Sequence, residues 1–482
     1  MSSKSFEEQL KKPASSKSLE DLLNAADDPV SLLRNRQTGP NVYPGVPAEF
    51  TNWRDEQRAW QETCVLFNQS YHMADLAVTG PDALKLFSDL GVNTFKNFAP
   101  GAAKQFVACG HDGHVVGDAI LFYLGEQTFN LVGREPALHW AEFHAKSGRY
   151  DLTAEYDERS AERADPFDRK TFRFQIQGPN ALQVLEKASG RPAPDVKFFH
   201  MGWTTIAGRD VGALRHGMAG QKGFELFGAW ADGAAVLDAL LRAGEEFGLH
   251  QSGGRAYGSN TLESGWIPCP LPAIYTGEKM KPYRQWLSED SFEGRASLGG
   301  SFTPKTIDEC YITPWDIGYG PFVKFDHDFI GREALEKMAD RPHRRKVTLA
   351  LDNDDVLGVI GTIFKKDGRG KFIEFPSAVY AMYPYDKVTA GGRTVGISTW
   401  VGYSSNEAKM LTLAMVDEAF AEPGTKVTLV WGEEGGGTAK PRVERHIQME
   451  IGAVVHPAPY AKAAREVYDD GGWRRRVAAA RV

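Results

Sequence analysis

The chain has 482 residues, of which 42% are hydrophobic and 25% charged, a composition typical of a folded protein with two or three domains. Its net charge of -7 argues against nucleic acid as the main partner, because phosphate binding needs a concentrated basic surface. Its first residues lack the apolar stretch of a secretory signal, and no segment has the apolar length of a membrane span. We therefore expect a cytoplasmic protein without a membrane partner.

Residues 1–40 form a polar arm with a single aromatic side chain, Phe6. We expect short surface helices laid over the body there, or a partly ordered arm, with little chemistry. From Tyr43 onward aromatic residues become frequent, and strand and helix patterns are separated by Gly and Pro.

Two stretches resemble each other, DLAVTGPDALKLFSDL from Asp75 and RFQIQGPNALQVLEKA from Arg173. Each has a short run of strand-forming residues, then Gly-Pro, then apolar residues at helical spacing. We predict a strand followed by a helix in both, with proline in the first helical turn. Internal duplication explains the likeness, and chance convergence on a common turn is the alternative.

The remaining domain organisation is predicted from changes in residue composition and in strand and helix patterns along the chain. Residues 41–340 read as two α+β subdomains, with an aromatic-rich insertion at 269–310 that we expect to line a site or an interface. Residues 341–460 consist of short strand patterns separated by glycine-rich turns, which predict a small antiparallel barrel or sandwich from about 346 to 456. Residues 461–482 form a C-terminal tail.

The usual catalytic signatures are absent from the sequence. There is no Walker loop, no dinucleotide-binding GxGxxG, no HExxH and no GxSxG. The four cysteines lie far apart without a CxxC pair, so we expect reduced thiols. No pair of the twelve histidines has ligand spacing on a convincing helix face, and we therefore expect no metal.

Six segments nevertheless resemble, in the same order, segments of the folate-dependent aminomethyltransferase family, to which the glycine-cleavage T-protein belongs. They run between Tyr43 and Tyr460 and read RAWQETCVLFNQSYHMADLAVTGPDA, GHVVGDAILFYLGEQTFNLVG, FQIQGPNALQVL, LRHGMAGQKGFELF, ITPWDIGYGPFVKFDHDFIGREAL and VGISTWVGYSSNEAKMLTLAMVDEAFAEPGTKV. The resemblance implies an α+β cloverleaf of three domains, two of them ferredoxin-like or Greek-key α+β units and the third a C-terminal antiparallel β-barrel. It also implies that reduced folate lies in a central channel.

The resemblance implies several folate-binding residues. Glu225 matches the glutamate that holds the pterin, and its carboxylate can accept two hydrogen bonds from pterin N–H groups; a solvent-facing strand glutamate is the alternative. Trp266 matches an aromatic residue beside the pterin, although a core tryptophan would read the same way. Gln175 and Gln177 lie on an otherwise apolar strand, so at least one amide needs a partner, which folate can provide.

The chain also departs from the T-protein pattern. The paired aspartates of the family hairpin are here Gly117 and Asp118, so one carboxylate is missing and Asp118 remains as a folate-binding candidate. The central family helix is replaced by AYGSNTLESG, which places Tyr257 before Gly258 and Ser259. The missing carboxylate weakens the case for a cationic amine substrate.

These departures resemble a narrower branch, the tetrahydrofolate-dependent O-demethylases of vanillate, 3-O-methylgallate or syringate, which act in the catabolism of lignin-derived aromatics. The branch implies that Tyr257 donates a proton to the departing aryl oxygen, with His72 next in line for that role. It implies that Arg134 binds the substrate carboxylate, and that His72 and Tyr43 hydrogen-bond the ring hydroxyl. Methyl transfer to tetrahydrofolate then gives 5-methyltetrahydrofolate. The residues do not distinguish the three acids and predict no oligomeric state.

Two other classes of function stay open at this point. One is an enzyme of the same family acting on another substrate, such as an aminomethyl carrier protein or a small sulfonium or N-methyl compound. The other is a folate-binding regulatory protein without catalysis, which would leave the combination of Tyr257, Arg134 and His72 unexplained. A structural tyrosine, an exposed arginine and a core histidine are the ordinary alternatives for these three residues.

Overall fold

A computed structural model describes residues 17–40, 43–268 and 270–466. Its helices are α1 Leu19–Asn24, α2 Pro29–Asn35, α3 Trp53–Glu62, α4 Ala83–Leu90, α5 Glu135–Ala145, α6 Ala181–Ser189, α7 Gly233–Gly244, α8 Gly254–Tyr257, α9 Thr261–Ser264, α10 Lys281–Trp286, α11 Arg332–Met338, α12 Asn353–Gly361 and α13 Lys462–Glu466. Its strands are β1 Cys64–Asn68, β2 Ala74–Thr79, β3 Ala103–Cys109, β4 Val115–Gly125, β5 Thr128–Gly133, β6 Thr153–Asp157, β7 Thr171–Gln177, β8 Met201–Ile206, β9 Arg209–Arg215, β10 Gly223–Ala229, β11 Leu249–Gln251, β12 Leu298–Gly299, β13 Arg344–Leu351, β14 Tyr383–Pro384, β15 Asp386–Ala390, β16 Arg393–Ser404, β17 Lys409–Asp417, β18 Lys426–Trp431 and β19 Met449–Pro457.

The region before the barrel contains two larger sheets. One has the strand order β3-β4-β5-β2-β6, and the other has the order β11-β1-β7-β10-β9-β8. Helices α4 and α5 pack on the first sheet, and helices α6 and α7 pack on the second. The first strand of the second sheet precedes the whole first sheet in the chain, so the two α+β units are interleaved rather than consecutive.

The two similar sequence stretches form equivalent units, β2–α4 in one sheet and β7–α6 in the other. Proline is not in the first helical turn as predicted, because both helices begin two residues after it, at Ala83 and Ala181. The preceding glycines explain the shift. Gly80 and Gly178 have positive φ, and a side chain at either would lie within 2.7 Å of neighbouring backbone. Gly-Pro therefore forms the turn that leads into each helix.

The N-terminal arm lies over the insertion. Ser18 caps α1 in a reciprocal capping box with Asp21, and Arg284 of α10 forms a buried ion pair with Glu20. Leu19 and Leu33 are both 1% exposed within the main core. The arm between residues 17 and 40 therefore completes the packing of the insertion, while residues 1–16 lie outside the described residues, as do Cys269 and residues 467–482.

The C-terminal region is a closed barrel with the strand order β13-β17-β16-β15-β18-β19. All its strand pairs are antiparallel, and its interior is filled by apolar side chains from alternate positions of the strands. The predicted α+β class with a C-terminal antiparallel barrel is thereby confirmed, and a sandwich is excluded.

Several negative observations apply to the residues that the structure describes. None of their helices is long and apolar enough to cross a membrane. They contain no cluster of three or more histidine, cysteine, aspartate or glutamate side chains that could hold a metal ion. Cys64, Cys109 and Cys310 are buried free thiols, as expected from their spacing.

Candidate active site

A cavity of about 340 Å³ lies where the two sheets meet the barrel. Strands β4 and β5 form one wall, and the loop 216–220 with Glu225 forms another. The segment from Tyr257 to Pro268 closes a third side, together with Trp400, Pro459 and Ala464 from the C-terminal region. The cavity therefore draws residues from all three parts of the fold, as the predicted central channel requires.

Three aromatic side chains, Tyr43, His72 and Tyr257, cluster at one end of this cavity. Each pair of rings makes an edge-to-face contact, with centroid distances of 5.0 Å, 4.9 Å and 4.6 Å. Nε2 of His72 lies 2.6 Å from the hydroxyl of Tyr257, a short hydrogen bond whose direction depends on the histidine tautomer. The structure therefore brings together three residues that are separated by up to 214 positions in the sequence.

Burial keeps this aromatic cluster uncharged at neutral pH. Burial lowers the pKa of His72 well below its ordinary value, and the nearby charges of Arg134, Arg159 and Arg169 lower it further. Burial also raises the pKa of Tyr257 far above 10. His72 is therefore a neutral imidazole and Tyr257 a protonated phenol, and the buried Nδ1 of His72 has no hydrogen-bond partner.

Tyr257 is held in place by contacts around the ends of its short helix α8. The carboxylate of Glu56 accepts a hydrogen bond from the backbone N–H of Gly253 at 2.8 Å. On the other side of Tyr257, Trp400 of the barrel donates its indole N–H to the carbonyl of Gly258 at 2.6 Å. The helix is thus anchored both to α3 and to the barrel, which fixes the phenol in the cavity.

Gln69 is a cavity residue that the sequence analysis missed. Its Nε2 donates to the hydroxyl of Tyr257 at 3.4 Å, and it also contacts the sulfur of Met218. The signal that could have found Gln69 is its position in the polar run NQSYH directly after β1, three residues before His72.

Arg134 lines the same cavity and differs from the other arginines around it. It follows β5 and occupies the N-cap position of α5, where the chain leaves the sheet. Arg159, Arg169 and Arg173 each pair with one or more carboxylates. Within the described part of the chain, no carboxylate pairs with Arg134. Its guanidinium is therefore available to an anionic ligand.

Glu225 lines the cavity but is also part of a buried chain of charges. It is 3% exposed and accepts a hydrogen bond from Nη1 of Arg173 at 2.5 Å. Nη2 of Arg173 donates in turn to Asp75 at 2.8 Å. The predicted glutamate therefore faces the cavity with one of its oxygens, Oε1, already engaged, and replacing it would also disturb Arg173.

Trp266 and Asp118 lie together on the cavity wall. Oδ2 of Asp118 accepts hydrogen bonds from Gln105 at 2.7 Å, from Tyr319 at 2.7 Å and from the indole N–H of Trp266 at 3.3 Å. The other oxygen, Oδ1, is buried without a partner, and burial raises the pKa of Asp118. This wall therefore presents a flat aromatic ring beside an unused hydrogen-bond acceptor.

Neither Gln175 nor Gln177, one of which is predicted to face the channel, lines this cavity, and a contact of either with folate stays a prediction. Residues two apart on a strand point to the same face, and here both amides support the loop behind the cavity wall. Nε2 of Gln175 donates to the carbonyl of His216 at 2.8 Å, and Oε1 of Gln177 accepts from the N–H of Met218 at 2.6 Å. They therefore position this loop.

Comparisons with known proteins agree with this architecture. The model of the GCVT N-terminal domain matches residues 35–269. Syringate O-demethylase of Sphingobium sp. is 59% identical over 96% of this chain and 100% of its own length. Sesamin methylene transferase of Sinomonas sp. is 30% identical over 86% of this chain and 94% of its own length.

Solved structures add a comparison of the fold itself. The crystal structure of the glycine cleavage system aminomethyltransferase T from Bartonella henselae matches with a TM-score of 0.59 at 18% identity, covering 89% of this chain and 95% of that chain. This is a likeness of fold alone. Together with the full-length relative at 59% identity, it confirms the resemblance found in the sequence segments. The chain belongs to the glycine-cleavage T-protein family.

Proposed function

We propose that this chain is a tetrahydrofolate-dependent O-demethylase of a methoxy-substituted aromatic acid, with syringate as the first substrate to test. It transfers the methyl group to tetrahydrofolate and releases the phenol and 5-methyltetrahydrofolate. The observation that carries the proposal is one cavity that holds the Tyr43–His72–Tyr257 cluster beside Arg134, an arginine without a carboxylate partner among the described residues. The identity of 59% to syringate O-demethylase supports the same class of substrate.

The carboxylate of the acid binds to Arg134. A guanidinium at the start of a helix, in a cavity closed to bulk water on several sides, binds a planar carboxylate through two parallel N–H···O bonds. The unpartnered Nδ1 of His72 and the hydroxyl of Tyr43 are available to the ring hydroxyl of the substrate. These contacts together fix the orientation of the ring and hence of its methoxy group.

Tyr257 supplies the proton that the chemistry demands. A phenolate is a mediocre leaving group, so the aryl oxygen needs a proton as its bond to the methyl carbon breaks. If Nε2–H of His72 donates to the oxygen of Tyr257, the phenolic proton is left free to move to the aryl oxygen. The raised pKa of Tyr257 keeps that proton in place until the oxygen becomes basic.

A second group of cavity residues fits a reduced pterin. Bound tetrahydrofolate supplies a nucleophilic nitrogen, N5, which accepts the methyl group and loses a proton, so that the proton given to the aryl oxygen is balanced. The buried Oδ1 of Asp118 and the carboxylate of Glu225 are acceptors for pterin N–H groups, and Trp266 provides a flat surface beside them. Gln175 and Gln177 contribute by holding the adjacent loop.

The decisive experiment incubates the pure protein with tetrahydrofolate and a panel of methoxybenzoates, and measures methylfolate by mass spectrometry. We expect 5-methyltetrahydrofolate and the matching phenol in equal amounts, formed fastest from a 4-hydroxy-3-methoxy or 3,5-dimethoxy acid. In the Arg134→Ala variant KM for the acid should rise much more than kcat falls, because the carboxylate contact exists in both ground and transition states.

Two outcomes would contradict the proposal. Formation of methylenetetrahydrofolate instead of 5-methyltetrahydrofolate would indicate that the transferred carbon is at another oxidation level than a methyl group. An Arg134→Ala variant that prefers the acid over the matching neutral methoxyphenol as strongly as the unmodified protein does would remove the aromatic-acid assignment.

A further inference from the structure

A buried carboxylate follows, in the chain, the arginine that faces the cavity. Glu135 follows Arg134 in the chain, begins helix α5 and is only 2% exposed. A buried carboxylate needs a positive partner, since an unpaired charge in the interior is costly. Arg134 is the cation next to Glu135 in the chain, so the Glu135 carboxylate is a candidate to compete with a substrate carboxylate for the Arg134 guanidinium.

In the structure the carboxylate of Glu135 pairs with a different arginine, Arg159. Nε of Arg159 forms an ion pair with Oε1 of Glu135, and Nη2 of Arg159 pairs with Glu162 at 2.7 Å. Arg159 is 7% exposed, and although burial lowers its pKa, the charges of Glu135 and Glu162 outweigh burial and raise it. Arg159 therefore remains a cation beside the cavity.

The insertion holds Arg159 in this place. The ring of Phe292 lies 5.1 Å from the Arg159 guanidinium carbon, and Arg295 forms an ion pair with the second oxygen of Glu162. On the other side, the N–H of Ser160 donates to the carbonyl of Tyr71 at 2.8 Å, directly before His72. Arg159 is thus fixed between the insertion and the substrate end of the cavity.

We propose that Arg159 is a positioning residue for substrate recognition, because its ion pair with Glu135 leaves the guanidinium of Arg134 free for the carboxylate of the substrate. This inference rests on the proposed role of Arg134 as the carboxylate-binding residue. The insertion then has a function at a distance from the chemistry, since it places the cation that neutralises Glu135. Without Arg159, Glu135 turns its charge toward Arg134 and competes with the substrate carboxylate.

The test is a double-mutant cycle that removes the two charges and measures ligand binding. The variants are Arg159→Gln, Glu135→Gln and the double variant Arg159→Gln/Glu135→Gln, and calorimetry measures Kd for syringate and for neutral 2,6-dimethoxyphenol. We expect Arg159→Gln to weaken syringate binding about tenfold or more, a change of about 1.4 kcal/mol, with little effect on the neutral phenol. The double variant should recover most of the affinity for syringate, because the competing carboxylate is then gone as well.

Arg295→Gln is the matched control. It removes an arginine from the same cluster that pairs with Glu162 and not with Glu135, so syringate affinity should stay within about twofold. A merely structural role for Arg159 predicts the opposite pattern, in which both ligands bind more weakly and the double variant binds no better than Arg159→Gln. That pattern would overturn the inference. If Arg134→Ala still weakens the binding of syringate more than that of the neutral phenol, the proposed function is left standing. If Arg134→Ala has no selective effect, the proposed function itself fails.

Discussion

Replacing Tyr257 with phenylalanine tests the proton donor while preserving the shape of the cavity. The ring of Tyr257 contacts Tyr43, His72 and Phe67 at centroid distances of 4.9 Å, 4.6 Å and 5.4 Å, and these contacts do not need the hydroxyl. The hydroxyl makes the short hydrogen bond to His72 and accepts a weaker one from Gln69. The variant therefore loses the proton and keeps the packing.

The size of the effect follows from the role assigned to the proton. General acid catalysis contributes roughly 10²–10⁴-fold, so kcat should fall by that factor, which raises the barrier by about 3–5 kcal/mol. KM should change by no more than about threefold, because the carboxylate contact with Arg134 is untouched. Single-turnover rates of methylfolate formation, measured with saturating tetrahydrofolate, separate this chemical step from product release.

Tyr43→Phe is the control for Tyr257→Phe. It also removes one phenolic hydroxyl from the same cluster, but that hydroxyl is proposed to bind the ring hydroxyl, so its loss should mainly raise KM. Demethylation by Tyr257→Phe at the unmodified rate would refute the reasoning. The proton would then come from His72 or from a bound water.

Three further predictions concern binding, stability and metal dependence. Glu225→Gln should weaken folate binding. It should also lower the free energy of unfolding by about 2 kcal/mol, because it breaks the charged hydrogen bond from Arg173. The control is Asp75→Asn, which disturbs the same arginine outside the cavity and should lower stability while leaving folate affinity intact. Burial lowers the pKa of His139, but the charge and hydrogen bond of Glu293 outweigh it and raise that pKa to about 9, so this pair contributes stability below pH 6.5 that is lost as pH rises through 9. His139→Gln should flatten chemical-denaturation stability over that window, and an unchanged slope would contradict it. Tetrahydrofolate should raise Tm, and EDTA should leave turnover unchanged; loss of turnover with EDTA would contradict a metal-free reaction.

Much of the architecture could be predicted because it depends on local sequence patterns. The barrel follows from short strands between glycine-rich turns, and the duplicated β2–α4 and β7–α6 units follow from apolar periodicity. The cavity residues Tyr43, His72, Arg134 and Tyr257 came from the order of family motifs, which carries information about position in the fold. Their roles stay predictions until the variants are measured.

What the sequence did not predict depends on contacts between distant strands. Glu225 pairs with Arg173 because β10 and β7 are neighbours in the sheet, and nothing in either local sequence specifies that register. Gln175 and Gln177 were predicted as channel residues because buried amides need partners, and the loop 216–218 engages one polar atom of each, while Oε1 of Gln175 and Nε2 of Gln177 stay buried without a partner among the described residues. Because side chains alternate along a strand, Gln175 and Gln177 must lie on the same face of β7, but the alternation does not predict which segment packs against that face.

The insertion was predicted to line a site or an interface, but none of its described residues lines the cavity, and its helix α10 packs against helix α5. Its carboxylate Glu293, which is fully buried, lies 3.0 Å from Nδ1 of His139 on helix α5. The hydroxyl of Tyr283 donates to the same carboxylate at 3.4 Å. The insertion therefore supports the helix that begins after Arg134, a role that its aromatic composition alone does not reveal.

The missing aspartate at position 117 takes on a second meaning in the structure. A side chain at Gly117 would place its Cβ 2.7 Å from the backbone nitrogen of Ala137, in the first turn of α5, which is closer than real contacts allow. Glycine at 117 therefore removes a carboxylate and at the same time lets α5 approach strand β4. Arg134 occupies the N-cap position of that helix, so the approach of α5 places the backbone from which its guanidinium extends. Gly117 therefore faces α5, whereas its neighbour Asp118 lines the cavity, so the exchange at 117 acts through the packing of α5 on β4.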